Sequence, residues 1–179
     1  METLAFILSL IGTACICIPP LLKGKNMKTI LLLVFSANIF VAVSYVLTGA
    51  FTGAASCFVG GAQTIINYFF DRKNKKLPVW MVVIYALSFI AVNMLVFNHI
   101  WDLIAMVASL SFILCISQKN GTRYRMASGV NTLLWIIYDL VSMSYGPLLT
   151  HTIQISTVIS GVVIHDLKKK KPKIQYSHS

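Results

Sequence analysis

The sequence predicts an all-α, polytopic membrane protein with seven transmembrane helices. Hydrophobic residues make up 57% of the 179-residue chain, charged residues 11%, and the mean hydropathy is +0.78. A chain of this composition has too little polar surface to cover a soluble globule. It contains seven apolar runs of about 20 residues, the length of a bilayer-spanning helix. Strands are not expected, because the runs are too long and do not alternate polar with apolar residues.

Short turns separate the predicted helices. Helix 1 closes at Pro19 and Pro20, since proline lacks the N–H that continues a helix. Helices 3, 5 and 7 follow the turns 48–53, 98–102 and 145–147. The seven predicted spans are 3–22, 29–47, 50–70, 78–97, 100–117, 125–144 and 147–164.

The fifteen Lys and Arg residues determine the predicted orientation. They lie between helices 1 and 2, 3 and 4, and 5 and 6, and after helix 7, which is one side of the bilayer. The positive-inside rule makes that side cytoplasmic, with the N-terminus outside and the C-terminus inside. The start carries Glu2 and no basic stretch, so it is not expected to be a cleaved signal. Residues 168–179 are expected to form a disordered, basic cytoplasmic tail.

The chain also repeats itself with an offset of 93 residues. Polar and glycine positions carry the match, pairing Asn38 with Asn131, Tyr45 with Tyr138, and Gly53 with Gly146. Parallel three-helix repeats joined by one inversion-correcting helix are a known transporter plan. We therefore expect a first repeat at 1–76, a linker helix at 77–97 and a second repeat at 98–167.

Polar side chains inside the spans are the candidates for a solute path, because they are costly in hydrocarbon unless they face protein or a cavity. Asn38 and Asn131 hold equivalent positions and would flank a path between the repeats. The alternative is that they only tie helices together. Trp135 and the tyrosines would form apolar walls. The predicted path residues are Asn38, Asn131, Trp135, Tyr45, Tyr138, Gln63 and Gln154.

Asp139 is the one acidic residue that the prediction places within a span and outside the predicted turns, and its repeat mate is Val46. His151 lies at a similar depth on helix 7, and histidine is the side chain that changes charge near neutral pH. We expect Asp139 and His151 to form a proton-linked pair. The alternative is a hydrated carboxylate near the outer surface.

Other kinds of site find little support. The four cysteines lie in apolar runs without a C-x-x-C pair, so no disulfide framework or redox site is expected. His99 and Asp102 are spaced i and i+3, but nothing places a third ligand near them, and neither a metal nor another cofactor is expected. No nucleophile and base indicate an enzyme. The net charge of +10 lies in short topology-setting blocks, so nucleic acid is not an expected partner.

The stretches SYVLTGAFTGAAS at 44–56 and LLWIIYDLVSMSYGPLLT at 133–150 resemble the YgjV-type family of bacterial inner membrane proteins, distant relatives of the SWEET and PQ-loop transporters. This resemblance covers nearly the whole chain. The SWEET relation implies two three-helix bundles around a central path that opens alternately to either side. The chain departs from the SWEET pattern, because helices 2, 5 and 6 hold no proline hinge, and from YgjV-like proteins at Asp139, where a neutral amide is expected.

The leading functional expectation is a small-solute transporter in the bacterial inner membrane, whose partners are a small polar solute and the lipid bilayer. The alternative is a non-transporting scaffold or interaction protein, with the small-residue seams of helices 3 and 7 as partner or homodimer interfaces. A polar cavity touching both asparagines would favour transport, and a filled core would favour the scaffold.

Overall fold

The computed structural model describes residues 2–22, 27–75, 77–118 and 120–167. Within these ranges the chain forms seven α-helices and no strand. The predicted tail, 168–179, and several predicted cytoplasmic lysines lie outside the described residues. The helices are α1 (Glu2–Cys17), α2 (Met27–Thr48), α3 (Phe51–Arg72), α4 (Val79–Leu95), α5 (Asp102–Ile116), α6 (Gly121–Val141) and α7 (Tyr145–Val162), which a π-helical turn, Val163–Leu167, extends.

A side-chain cap accounts for one departure of the helices from the predicted bounds. α6 begins at Gly121 rather than at 125, because the Oδ1 atom of Asn120 accepts the backbone N–H of Thr122 at 2.9 Å. Such a cap satisfies one of the free N–H groups at a helix start. After α1, a 3-10 turn, Pro19–Leu21, replaces the last predicted turn of helix 1.

Asp102 has a structural role at the start of α5. Its Oδ2 atom accepts the backbone N–H groups of Asn98 at 2.9 Å and His99 at 3.0 Å. A carboxylate in the first turn also interacts favourably with the helix dipole. The His99 and Asp102 spacing is thus part of a helix start.

Six of the helices form a closed ring, and the remaining one, α4, packs on the outside of this ring. α2 packs between α1 and α3, and α6 packs between α5 and α7. Contacts of α1 with α7 and of α3 with α5 join these two groups. α4 lies against α3 and α5, and the residues that it buries are Tyr85, Phe89 and Asn93.

Many polar side chains are buried inside the ring, and many large apolar side chains are exposed on its outside. Ser44, Thr64 and Thr132 are buried between helices, whereas Val79 is 79% exposed and Leu95 is 84% exposed. Soluble proteins do not expose apolar side chains on this scale. The outer surface is therefore suited to lipid.

Three helical segments are long and apolar enough to cross a membrane by length and composition, namely Thr3–Leu21, Met27–Thr48 and Tyr145–Leu167. Val79–Leu95 and Asp102–Ile116 are apolar but shorter. α3 and α6 are the most polar helices, because one face of each carries buried hydroxyl and amide groups.

Hydroxyl groups tie α1 to its neighbours in the ring. The Oγ atoms of Ser9 and Ser44 lie 2.7 Å apart, and Ser44 also donates to the carbonyl oxygen of Ala5 at 2.9 Å. The hydroxyl oxygens of Thr13 and Thr150 lie 2.8 Å apart. α1 is thereby attached to both α2 and α7.

The other end of α1 meets the ends of α6 and α7. The lack of a side chain at Gly161 allows the carbonyl oxygen of Pro20 to approach, since a Cβ atom would lie 2.3 Å from it. Arg125, 4% exposed, donates to both carboxylate oxygens of Asp166, from Nε at 2.9 Å and from Nη2 at 2.7 Å. Bidentate pairing of a guanidinium with a carboxylate is strong and geometrically specific.

Candidate functional site

A cavity of about 50 Å³ lies inside the ring, with room for about three water molecules. All seven helices contribute to its wall. None of the described lysines, arginines or carboxylates lines it. The polar lining side chains are Asn38, Ser56, Ser109, Ser128, Asn131, His151 and Gln154, and the aromatic ones are Phe89, Phe112, Tyr124 and Trp135.

Asn38 and Asn131 face this cavity from α2 and α6. The amide nitrogen of Asn131 donates to the carbonyl oxygen of Ala108 at 2.7 Å and to the Ser111 hydroxyl at 2.9 Å. The amide nitrogen of Asn38 donates to the carbonyl oxygen of Val34 at 2.8 Å. Only a nitrogen can donate to these carbonyls, so the orientation of both amides is determined. Each Oδ1 atom is left without a hydrogen bond from a described residue.

Asp139 is fully buried beside the cavity. One carboxylate oxygen accepts the hydroxyl of Tyr45, and the other lies 2.6 Å from Nδ1 of His151. The Trp135 ring stacks on the imidazole, with ring centroids 5.8 Å apart and planes 15° apart. Asp139 and His151 are thus in contact, and Asp139 is not the hydrated outer-edge carboxylate of the alternative interpretation. Tyr45, which the sequence predicts only as a wall of the path, is a third member of this cluster.

Five of the nine predicted site residues line the cavity, namely Asn38, Asn131, Trp135, His151 and Gln154. Asp139 lies behind His151. Tyr45 and Tyr138 pack beside Trp135, with ring centroids 6.2 and 5.8 Å from the indole. Tyr45 and Tyr138 thus form an aromatic cluster with Trp135, but these two tyrosines do not line the cavity.

Gln63 lies in the seam between α3 and α4 and does not line the cavity. It shares one face of α3 with Ser56 and Asn67 by helical spacing. Ser56 donates to Asn93 of α4 at 3.0 Å, and Tyr85 of α4 donates to Asn67 at 3.1 Å. Both amide atoms of the buried Gln63 lack a hydrogen-bond partner among the described residues. A polar residue in a span can face either a cavity or a neighbouring helix, and its sequence position does not tell which.

One glycine in each of the small-residue seams packs against the chain itself. Gly60 of α3 lies against the Asn38 amide oxygen and the Phe112 ring, and Gly161 of α7 lies against Pro20. Such glycines allow close approach of helices in membranes. These two positions therefore serve packing within the ring.

The ion pair of Arg125 and Asp166 is a feature that sequence reasoning missed. The sequence predicts a topological role for Arg125 and none for Asp166. A signal was present, because Asp166 is the one acid beside the final cationic run and lies close to the predicted inner end of helix 7. Antiparallel packing of helices 6 and 7 brings that end to the start of helix 6.

The fold, the apolar exterior and the buried polar cavity together define a helical integral membrane protein. The chain belongs to the Imp-YgjV family, because the model of that family, described as bacterial inner membrane protein, matches residues 3–169. This match confirms the YgjV-type resemblance seen in the sequence. No curated protein and no solved structure matches the chain. The distant relation to SWEET transporters stays a prediction.

Proposed function

We propose that the protein is a small-solute transporter whose path runs through the cavity inside the helix ring. The observation that carries the proposal is one cavity lined by Asn38, Asn131 and Gln154 from three different helices. Buried polar groups are expensive in a membrane and mark substrate pathways. The Oδ1 atoms of two of these lining residues, Asn38 and Asn131, accept no hydrogen bond from a described residue, so they are available to a solute with hydrogen-bond donors.

The helix contacts support a two-repeat, SWEET-like architecture for this transporter. Exchanging α1, α2 and α3 with α5, α6 and α7 leaves the set of main neighbouring pairs in the ring unchanged, since α1 with α7 becomes α5 with α3. α4 has no counterpart under this exchange. In a parallel-repeat transporter, the substrate site lies at the interface of the two repeats.

Two packed regions would have to open in turn for alternating access. On the proposed outer side, the aromatic cluster of Tyr45, Trp135 and Tyr138 packs beside the cavity. On the proposed inner side, Arg125 binds Asp166 beside the contact of Pro20 with Gly161. Rocking of one repeat against the other would open one region while the other stays closed.

Asn131→Leu should reduce solute flux about tenfold, the effect of losing about 1.4 kcal/mol of hydrogen bonding. The measurement is the reswelling rate of shrunken proteoliposomes in a panel of small polar solutes, followed by light scattering. Asn67→Leu is the matched control, because Asn67 is equally buried and lies outside the cavity. It should keep the parental rate.

Folded parent protein that speeds the reswelling of no solute beyond protein-free vesicles would overturn the transport proposal. The non-transporting scaffold would then be the better interpretation. Equal loss of flux in the Asn131 and Asn67 variants would instead assign the effect to stability and remove the cavity from the path.

We also propose a multi-pass orientation with the N-terminus outside. The exposed Arg72 and Lys73 at the end of α3 support it, since cations mark the cytoplasmic side. Single cysteines at Ala50 and Asn98 should react with an impermeant thiol reagent in intact cells, and a cysteine at Ser117 should react only after lysis. Labelling of the Ser117 variant in intact cells would contradict the proposed orientation and indicate the opposite one.

A further inference from the structure

Asp139 is a buried acid whose described neighbours include one group able to carry positive charge. Tyr45 from α2, Cys57 from α3 and Tyr138 lie close to it, and His151 from α7 bonds it. Phenols and thiols are ordinarily uncharged near neutral pH. The remaining groups at this level are Asp102 of α5, which lies near Tyr138, and the hydroxyls of Ser9 and Thr13 on α1.

The Asp139–His151 pair therefore has two charge states. In the first state the imidazole carries a proton on both nitrogens, and its positive charge cancels the negative charge of the carboxylate. With a neutral imidazole donating its Nδ1–H to the carboxylate, the pair carries one net negative charge. A buried, uncompensated charge is costly inside a membrane protein. His151 also lines the cavity, so a cation bound there would compensate that charge.

The cavity is chemically suited to a cation. Asn38 and Asn131 line it, each with an Oδ1 atom that accepts no hydrogen bond from a described residue, and the neutral imidazole of His151 adds Nε2, the nitrogen that Asp139 does not hold. The aromatic side chain of Trp135 lies in the same wall, and aromatic faces attract cations. A primary ammonium group, like that of lysine, has three N–H donors for three acceptors. The volume of about 50 Å³ suits roughly three non-hydrogen atoms.

We propose that the cavity binds a small primary ammonium ion in exchange for the one proton held by the Asp139–His151 pair. The cation and the proton compensate the same buried charge, so each weakens the binding of the other. On exchange, Nε2 of His151 releases its proton into the cavity, and Nδ1 keeps its hydrogen bond to Asp139. The inference rests on the proposed transport function and adds the class of solute and its coupling to protons.

Binding can be tested with ethylammonium chloride on the purified full-length protein, using thermal unfolding at constant ionic strength. Histidine ordinarily changes charge between about pH 5 and pH 8, so titrations should span that interval. The apparent Kd of ethylammonium should rise by up to about tenfold for each pH unit lowered, as one-proton competition requires. Sodium acetate should not stabilise the protein, and ethylene glycol should show no such pH dependence. In weak buffer, ethylammonium should release up to one proton per chain.

Two variants test whether ethylammonium binding depends on the charge of the Asp139–His151 pair. Asp139→Asn keeps the size of the side chain and removes its charge, so ethylammonium should bind at least about tenfold more weakly, with no pH dependence. His151→Gln should still bind ethylammonium, but with a changed pH dependence, because only the carboxylate of Asp139 is then left to hold the competing proton. Asp71→Asn and His99→Gln are matched controls outside the cavity and should behave like the parent.

Equal affinity of the Asp139→Asn variant and the parent would overturn the proposal, as would an unchanged pH dependence in His151→Gln. Stabilisation by sodium chloride alone would also overturn it, because the cation would then not be organic. If ethylammonium binds but no solute speeds vesicle reswelling, the cation site is kept and the transport function is rejected. If neutral solutes speed reswelling but ethylammonium does not bind, the transport function is kept and the cation site is rejected.

Discussion

Gly161→Ala should lower the free energy of unfolding by about 3 kcal/mol, at the upper end of the usual cost of overpacking. The added Cβ atom would lie 2.3 Å from the carbonyl oxygen of Pro20 and 2.9 Å from Cδ of Arg125. A backbone oxygen cannot rotate away, so α7 would have to separate from the turn after α1. Thermal unfolding of the purified protein in detergent measures the loss.

Gly129→Ala is the control for this prediction. The nearest atom to a Cβ at Gly129 is Cγ1 of Val158 at 3.5 Å, which is an ordinary contact. Alanine also favours a helix interior over glycine by about 0.5–1 kcal/mol. The Gly129 variant should be as stable as the parent or slightly more stable. Similar losses at both glycines would contradict the close contact of Pro20 with α7.

Arg125→Met should also destabilise the protein, by about 3 kcal/mol, because it leaves the Asp166 carboxylate without its bidentate partner. Methionine keeps the apolar stem of the side chain, so most of the loss should come from the charge. Denaturant unfolding of the detergent-solubilised protein provides the measurement.

Arg123→Met serves as the comparison, since Arg123 is exposed and close in sequence. It should change stability little. The double variant Arg125→Met, Asp166→Asn should recover part of the loss, because no unpaired charge remains. If Arg125→Met is as stable as the parent, the ion pair does not hold the ends of α6 and α7 together.

The existence and order of the helices could be predicted from the sequence because they depend on local features. The length of each apolar run, the proline pair after α1 and the turn residues act within a few positions. The start of α6 could not be found in this way, because a single side-chain cap at Asn120 extends the helix into a polar segment.

Individual helices also give an incomplete account of membrane insertion. α3 and α6 face the inside of the ring with polar side chains, so neither is apolar all round. A helix packed in a bundle needs only its lipid-facing side to be apolar. The prediction of seven spans therefore depends on how the helices pack together. Judged one at a time by length and composition, only three of the described segments qualify as membrane-spanning.

The candidate site could be predicted only in part. The repeat indicated Asn38 and Asn131, and equal depth on adjacent helices indicated Asp139 with His151. The hydrogen bond from Tyr45 to Asp139 could not be foreseen, because it depends on how α2 is rotated about its axis. Its repeat mate, Tyr138, sits next to Asp139 in the chain, so symmetry gave no guide.

The contact between α1 and α7 has a consequence for biosynthesis, because it joins two helices that are far apart in the chain. Thr13 and Thr150 are 137 positions apart, so one partner enters the bilayer long before the other. The Thr13 hydroxyl donates to the Ser9 carbonyl oxygen within α1 at 2.7 Å. This hydroxyl therefore has a hydrogen-bond acceptor before α7 is made. A chain interrupted before α7 would leave the ring open and expose its polar interior to lipid.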